Sequence, residues 1–410
     1  MAGGDLEARK RPFRRPGRRK LILGLLAAVI LVAAAIAWAS GGDTPSRLDA
    51  FYVDPDPLPN GRPGTILRSQ SIAHPPGGTL GWKLLYISRS YTGKRAALSA
   101  VVFVPNRAAA SNGRNVVVFA HPVLGIAARC APSLDPSFWP KIPGLMRFLR
   151  AGDAVVMPDY EGLGTAGGHP LFVGPTLGRQ TLDAVRAANR FEPAAASTRF
   201  VAWGTSEGGH TALFAGQEAE SYAPELELAG IAAGAPATVL EPLFDVNRST
   251  IPGQILATYL LVSWGRVYSQ LGPGEILAPG AEPAADRLAK LCVPADSGPI
   301  DAPTAKLAQD VSFALPRRFR SPVVRRLLAR NSPGARSIPA PILITQGTRD
   351  QLVRPALTRR FVRRLCAQGA SVQYRVSPGV AHRDVAEKTA PYAANWIAKR
   401  FEGRPVRSTC

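Results

Sequence analysis

Ser206, Asp350 and His382 lie far apart in the chain, yet they have the types and the order that acyl-transfer chemistry needs. Ser206 sits in Gly204-Thr205-Ser206-Glu207-Gly208, a G-x-S-x-G pattern. Before it runs an apolar stretch with Phe200, Val201 and Trp203, and after it a small-residue stretch beginning Gly209-His210-Thr211-Ala212. A strand before and a helix after are the setting of a nucleophile elbow, a strained turn whose glycines let one serine hydroxyl stand above a sheet edge. That hydroxyl is a weak nucleophile at neutral pH and needs a general base within hydrogen-bond reach. Elimination among five histidines points to one of them. His74 precedes two prolines near the N-terminus, and His121 and His169 lie upstream of the elbow. His210 follows Ser206 on the elbow helix, where its ring does not turn back to the hydroxyl. His382 remains, in SPGVAHRD between the last expected strand and the last helix. Asp350, in ITQGTRD after the apolar run PILIT, can hold the imidazole in the tautomer that accepts the serine proton. Singly, the aspartate also reads as a helix cap and the histidine as an ordinary loop residue. Jointly, the order Ser, Asp, His at three strand ends is that of a sheet-borne triad.

The tetrahedral intermediate also needs donors aimed at its oxyanion. One is expected from the backbone N–H of Glu207. The other should come from the loop after NVVVFA, which reads His121-Pro122-Val123-Leu124-Gly125; Pro122 has no N–H, so Val123 or Leu124 must supply it. Gly162, Gly164, Gly167 and Gly168 in DYEGLGTAGGHP imitate a phosphate loop, but the Lys-Ser/Thr of such a loop is missing. A close turn over the active site is the expectation there.

These residues require a frame. Trp82 to Ser88 and Ala97 to Val104 read as paired strands around the turn signal Thr92-Gly93. Asn115 to Ala120 is a continuous apolar strand of the kind buried on both faces. Then follow a helix over Phe138 to Arg150, a strand over Ala154 to Met157, a helix over Thr181 to Phe191, the elbow strand, and a strand over Leu228 to Ala233. Pro341 to Thr345, helix Ala356 to Ala367, strand Val372 to Val376 and helix Asp384 to Arg400 complete the series. Strands alternating with helices predict an α/β fold with a mostly parallel sheet covered on both faces. Residues 236–339 interrupt the series; so long a stretch between consecutive strands predicts a helical insertion, with Ile255 to Trp264 as its core or a substrate-facing wall.

The chain has 410 residues, a hydrophobic fraction of 46% and a charged fraction of 19%, which excludes disorder throughout. Of the formal charge of +21, residues 1–20 supply +6 and leave +15. The excess is scattered arginine, and with no nucleic-acid-binding motif it reads as a solvated basic face rather than a specific nucleic-acid surface. Leu21 to Ala39 carries no charge and follows a basic flank, so it should enter a membrane with the N-terminus inside. At about 1.5 Å per residue it nearly crosses a hydrocarbon core of about 30 Å. It reads as a retained transmembrane anchor, with Ala37-Trp38-Ala39 as the cleavage site of the alternative, a signal peptide. Either reading places the catalytic part outside the cytoplasm. The expected organisation is a flank at 1–20, the anchor or signal at 21–39, a linker and arm at 40–72, the core in two parts at 73–235 and 340–410, and the insertion at 236–339. Cys130, Cys292, Cys366 and Cys410 have no C-x-x-C spacing, which argues against zinc; an even count behind an export signal favours two disulfides, with three pairings open.

Several stretches together resemble the secretory lipase family: FYVDPDPLPNGRPGTILRS, AHPVLGIAARCAPSLDP, PDYEGLGTAGGHP, LDAVRAANR, WGTSEGGHTAL, QGTRDQLV and GVAHRD, spanning about Phe51 to the C-terminus. The resemblance implies an α/β-hydrolase core with a helical cap, hydrolysis of carboxylic esters, often lipid esters, and no metal or organic cofactor. It carries the nucleophile onto Ser206, the acid onto Asp350 and the base onto His382. It also implies the pairs Cys130 to Cys292 and Cys366 to Cys410. Where many relatives have a glycine and polar residues after the histidine, this chain has Pro122, Val123 and Leu124, so the oxyanion donors fall to the backbone. Glu207 stands where glutamine is common, and its carboxylate would disfavour an anionic acyl group. The resulting expectation is an exported, membrane-tethered serine hydrolase of hydrophobic esters; nothing in the sequence specifies an oligomeric state. A serine peptidase on the same core would need an acidic cluster in the cap, which is not conspicuously acidic. A noncatalytic binding protein is the alternative that the altered oxyanion loop raises.

Overall fold

The computed structural model describes residues 49–271, 277, 279–293, 300–312 and 321–410. The apolar stretch 21–39 and its basic flank lie outside the described residues. Among the described residues, no helix is long and apolar enough to cross a membrane.

The described strands are β1 (Ile66–Ser71), β2 (Leu80–Arg89), β3 (Arg95–Val104), β4 (Arg114–Ala120), β5 (Ala154–Pro158), β6 (Ala196–Thr205), β7 (Glu227–Gly234), β8 (Ile342–Gly347) and β9 (Val372–Ser377). They form one sheet in the order β1-β2-β3-β5-β4-β6-β7-β8-β9. Pairing is antiparallel from β1 to β5 across the first edge and parallel from β5 through β9. The described α-helices are α1 (Leu145–Ala151), α2 (Gly174–Arg190), α3 (Glu207–Tyr222), α4 (Leu240–Asn247), α5 (Ile251–Val267), α6 (Glu282–Ala289), α7 (Ala302–Ser312), α8 (Pro322–Arg330), α9 (Pro355–Ala367) and α10 (Val385–Phe401).

The central strands are apolar on both faces because both are covered. Val116, Val118, Phe200 and Ala202 pack with Leu182 of α2, Leu213 of α3 and Phe361 of α9. The alternate residues Val117, Phe119, Val201 and Trp203 pack with Phe148 of α1 and Trp396 of α10. This two-residue alternation is the pleat of a strand buried between two helical layers.

Between β7 and β8 the chain runs through α4 to α8, which bury a separate core. The apolar stretch over Ile255 to Trp264 lies in α5, and Tyr259, Leu260, Leu261 and Trp264 are buried in that core. Thr250 caps α5, its Oγ1 accepting the Gly253 N–H at 3.2 Å.

Three sequence expectations need correction. The helix expected over Phe138 to Arg150 is a 3-10 turn, Trp139–Lys141, followed by α1, because Pro140, Pro143 and Gly144 break the earlier part. The helix expected from Thr181 starts at Gly174, since Pro175 is tolerated in a first turn. Within the stretch read as an arm, Ile66–Ser71 is a half-exposed edge strand whose polar residues hide its pairing with β2.

Candidate active site

The elbow forms where β6 meets α3. Ser206 has φ 56° and ψ −118°, a left-handed backbone that a serine adopts at a cost of about 1–3 kcal/mol. Hydrogen bonds hold it there: its N–H donates to the Gly234 carbonyl at 2.9 Å, and its carbonyl accepts from His210 N–H at 3.1 Å and Ala237 N–H at 3.2 Å. Gly204 and Gly208 are required by space. A Cβ on Gly204 would lie 2.3 Å from the Gly208 carbonyl oxygen, and one on Gly208 would lie 1.9 Å from the Ala120 carbonyl oxygen at the end of β4. The elbow helix is thus packed directly against the strand whose following loop begins at His121.

Three strand ends bring the expected triad residues together. His382 Nε2 lies 3.0 Å from Ser206 Oγ, and His382 Nδ1 lies 2.8 Å from Asp350 Oδ2. Asp350 is buried at 3% exposure, and its second oxygen accepts the N–H groups of Leu352 at 3.0 Å and Val353 at 2.8 Å. Gln346 Nε2 donates to Asp350 Oδ2 at 3.0 Å, while Gln346 Oε1 accepts from Thr358 Oγ1 at 2.6 Å. Gln346 and Thr358 orient the acid, and sequence reasoning missed both; the only signal is that Gln346 lies in the same short loop motif, QGTRD.

His210 is fully buried, with Nε2 2.8 Å from the Asn331 carbonyl oxygen and its ring set edge-on to Phe172. It therefore has a structural partner remote from the serine hydroxyl, as elimination expected. Burial pushes His210 down from its ordinary 6.5 to about 4, and it does the same to His121.

The loop after β4 is tied at several points. His121 is fully buried, Nδ1 lying 2.7 Å from the Pro122 carbonyl oxygen. The Leu124 carbonyl accepts the Val293 N–H at 2.9 Å, Gly125 bridges Cys292, and Cys130 is disulfide-bonded to Cys292. Among the described residues, the N–H groups of Val123 and Leu124 meet no acceptor. Glu207 is the first residue of α3, where a helix N–H has no partner of its own. The second disulfide joins Cys366 to Cys410. Both pairings are those the resemblance implies.

Glu207 requires a correction. Its carboxylate does not stand open to a bound acyl group: it is fully buried, with Oε1 accepting the Phe172 N–H at 3.2 Å and lying 3.7 Å from His169 Nε2. Burial raises its pKa, but the neighbouring His169 and the Phe172 N–H together hold it below the usual carboxylate range. The glycine-rich stretch is a tight turn, with Gly162, Gly164 and Gly167 at positive φ. Four of the five described non-glycine residues with left-handed backbone lie on this side of the sheet: Tyr160 at φ 67°, Phe172 at 54°, Ser206 at 56° and Ala235 at 40°. Such strain collects where surroundings fix a functional geometry. The insertion is sewn to this edge by α5, since Ser263 Oγ donates to the His169 carbonyl at 2.6 Å and accepts Leu171 N–H at 3.0 Å. Among the described residues, no group of three or more His, Cys, Asp or Glu is arranged to hold a metal ion.

A secreted triacylglycerol lipase of Malassezia globosa is 28% identical over 398 residues, covering 88% of this chain and 82% of that protein. A Mycobacterium tuberculosis protein named a probable inactive lipase is 25% identical over 378 residues, covering 87% and 83%. Among solved structures, Candida antarctica lipase A superposes with a TM-score of 0.72 at 18% identity, covering 88% of this chain and 87% of that one, which shows a shared α/β-hydrolase fold. Residues 142–409, more than half of the sequence, match the family described as Secretory lipase, and the chain belongs to that family.

Proposed function

We propose that the chain is an exported serine hydrolase of carboxylic esters, acting on lipid or other hydrophobic esters beneath a cap formed by the helices between β7 and β8. The observation that carries this reading is the continuous line of hydrogen bonds from Ser206 through His382 to Asp350. Ser206 Oγ attacks the ester carbonyl while His382 Nε2 takes its proton, and Asp350 stabilises the imidazolium and fixes its orientation. The backbone N–H groups of Glu207 and of Val123 or Leu124 receive the oxyanion. His382 then gives the proton to the leaving alcohol, and water attacks the acyl-enzyme with the same histidine as base. Family membership supports a hydrophobic substrate.

The test compares wild type with Ser206→Ala on p-nitrophenyl esters of short and long acyl chains, together with fluorophosphonate labelling. Wild type should label and hydrolyse, and the variant should lose label and at least about a thousandfold in kcat. Equal activity in both rejects Ser206 as nucleophile. A wild type that neither labels nor hydrolyses is the noncatalytic binding protein that the altered oxyanion loop raises; cleavage of aminoacyl amides but not esters indicates a peptidase.

Residues 21–39 are the proposed membrane anchor of the exported enzyme. N-terminal sequencing of the mature, membrane-fraction protein should find the basic flank still attached; a chain beginning at Ser40 means that the segment is a cleaved signal and the enzyme is released.

A further inference from the structure

The residue after the nucleophile poses an electrostatic difficulty. A carboxylate buried at the first position of α3, beside the N–H that receives the oxyanion, would oppose the charge developing there unless something cancels it. His169 is placed to do so. It is 2% exposed, its Nε2 is 3.7 Å from Glu207 Oε1, and its Nδ1 is 3.3 Å from the Glu161 carbonyl oxygen. One ring N–H thus faces the carboxylate and the other a carbonyl, both acceptors, as an imidazolium requires. Other titratable groups around Glu207 do not replace it. His121 is kept neutral by burial, with a pKa pushed down to about 4, as is His210 on the elbow helix. Tyr160 is fully buried and held well above its ordinary range, first by burial and then by the Glu207 charge.

The same carboxylate also fixes backbone. Glu207 Oε1 accepts the N–H of Phe172, whose φ of 54° is left-handed. His169 and Phe172 bracket a short loop whose His169 carbonyl and Leu171 N–H and carbonyl are taken up by α5, through Ser263 and Trp264. We propose that Glu207 and His169 form an internal ion pair that positions the elbow: His169 neutralises the carboxylate under the oxyanion site, and Glu207 locks the His169–Phe172 loop against the first turn of α3. Both are positioning residues, and the proposal rests on the reading of Ser206 as nucleophile and Glu207 N–H as oxyanion donor. It predicts that the histidine matters only while its partner is charged.

The experiment uses the full chain as wild type, Glu207→Gln, His169→Gln and the double variant. It measures kcat and KM for p-nitrophenyl butyrate and the melting temperature of each protein. His169→Gln should lower kcat by about ten- to a hundredfold, the scale of a buried charge left without a partner, with little change in KM. The double variant should return to within about twofold of Glu207→Gln, because a carboxamide needs no counter-charge. Melting temperatures should follow the same pattern of loss and recovery. The proposal is overturned if His169→Gln equals wild type in both measurements, or if the double variant is as impaired as His169→Gln, which would make the ring merely a packing element. Should wild type hydrolyse no ester, the functional reading fails, and the ion pair is decided by melting alone: recovery in the double variant supports it, and no recovery overturns it.

Discussion

Two neutral, buried histidines contribute stability that acid removes. His121 and His210 drop from 6.5 to about 4 in the folded chain because burial disfavours the charged ring. The unfolded chain therefore binds more protons than the folded one within that window. The contribution is fully present above pH 6.5, and each histidine loses roughly 3 kcal/mol of it as pH falls to about 4. Asp153 and Glu161, raised to about 7, and Asp159 and Asp183, raised to about 6, run the other way and gain stability as pH falls. The difference between proteins isolates the histidine: His210→Gln should lose less melting temperature than wild type between pH 7 and 4.5, and parallel curves would contradict the assignment. At this scale the meeting of Ser206, Asp350 and His382 was legible because each sits in a short local motif at a strand end. Gln346 and Thr358 were not, since an amide and a hydroxyl of ordinary type acquire a role only when β8 and α9 bring them to one carboxylate. The Glu207–His169 pair was hidden for the same reason, its partners being joined only by the fold.

Elements meet most tightly where α3 leaves the sheet. A methyl group on Gly208 would lie 1.9 Å from the carbonyl oxygen of Ala120, and a backbone oxygen in a central strand has nowhere to go. Gly208→Ala should therefore cost about 1–3 kcal/mol by denaturant unfolding, with kcat falling as α3 is displaced from Ser206. A variant of unchanged stability and rate would mean that the helix can shift freely. The strands of this core were readable because burial on both faces leaves continuous apolar runs such as NVVVFA. Ile66–Ser71 was missed because an edge strand exposes half its residues, and α1 was misjudged because its approach carries Pro140 and Pro143.

Across the whole molecule, the two disulfides close loops of different length: Cys130–Cys292 spans 162 residues and Cys366–Cys410 spans 44. By loop entropy the longer bridge should stabilise by about 1 kcal/mol more than the shorter, within a range of roughly 2–5 kcal/mol for each. Replacing both cysteines of each pair by serine and measuring unfolding tests this. Removal of Cys130–Cys292 should also lower kcat, because that bridge fastens the loop carrying Val123 and Leu124; unchanged kcat would show the loop to be held by its hydrogen bonds alone. The presence of a helical insertion was legible from the gap between apolar strands, and its tie through Cys292 from the family resemblance, but its attachment through Ser263 and Trp264 was not, since each contact closes a long stretch of chain. The helices α4 to α8 leave from β7 and return to β8, and those strands pair directly, Ile231 against Ile342. Because that pairing is parallel, the chain leaves at Gly234, opposite Thr345, and returns at Ile342, three residues back, an offset of about 10 Å along the strands that the insertion spans as a crossover. Descent with modification can exchange such a module as a cassette and revise what the enzyme accepts, while Ser206, Asp350 and His382 stay on the sheet. The inherited constraint is the set of ties: a newcomer must bring a cysteine for Cys130, a hydroxyl and an indole N–H for the backbone at Leu171, and a carbonyl for His210.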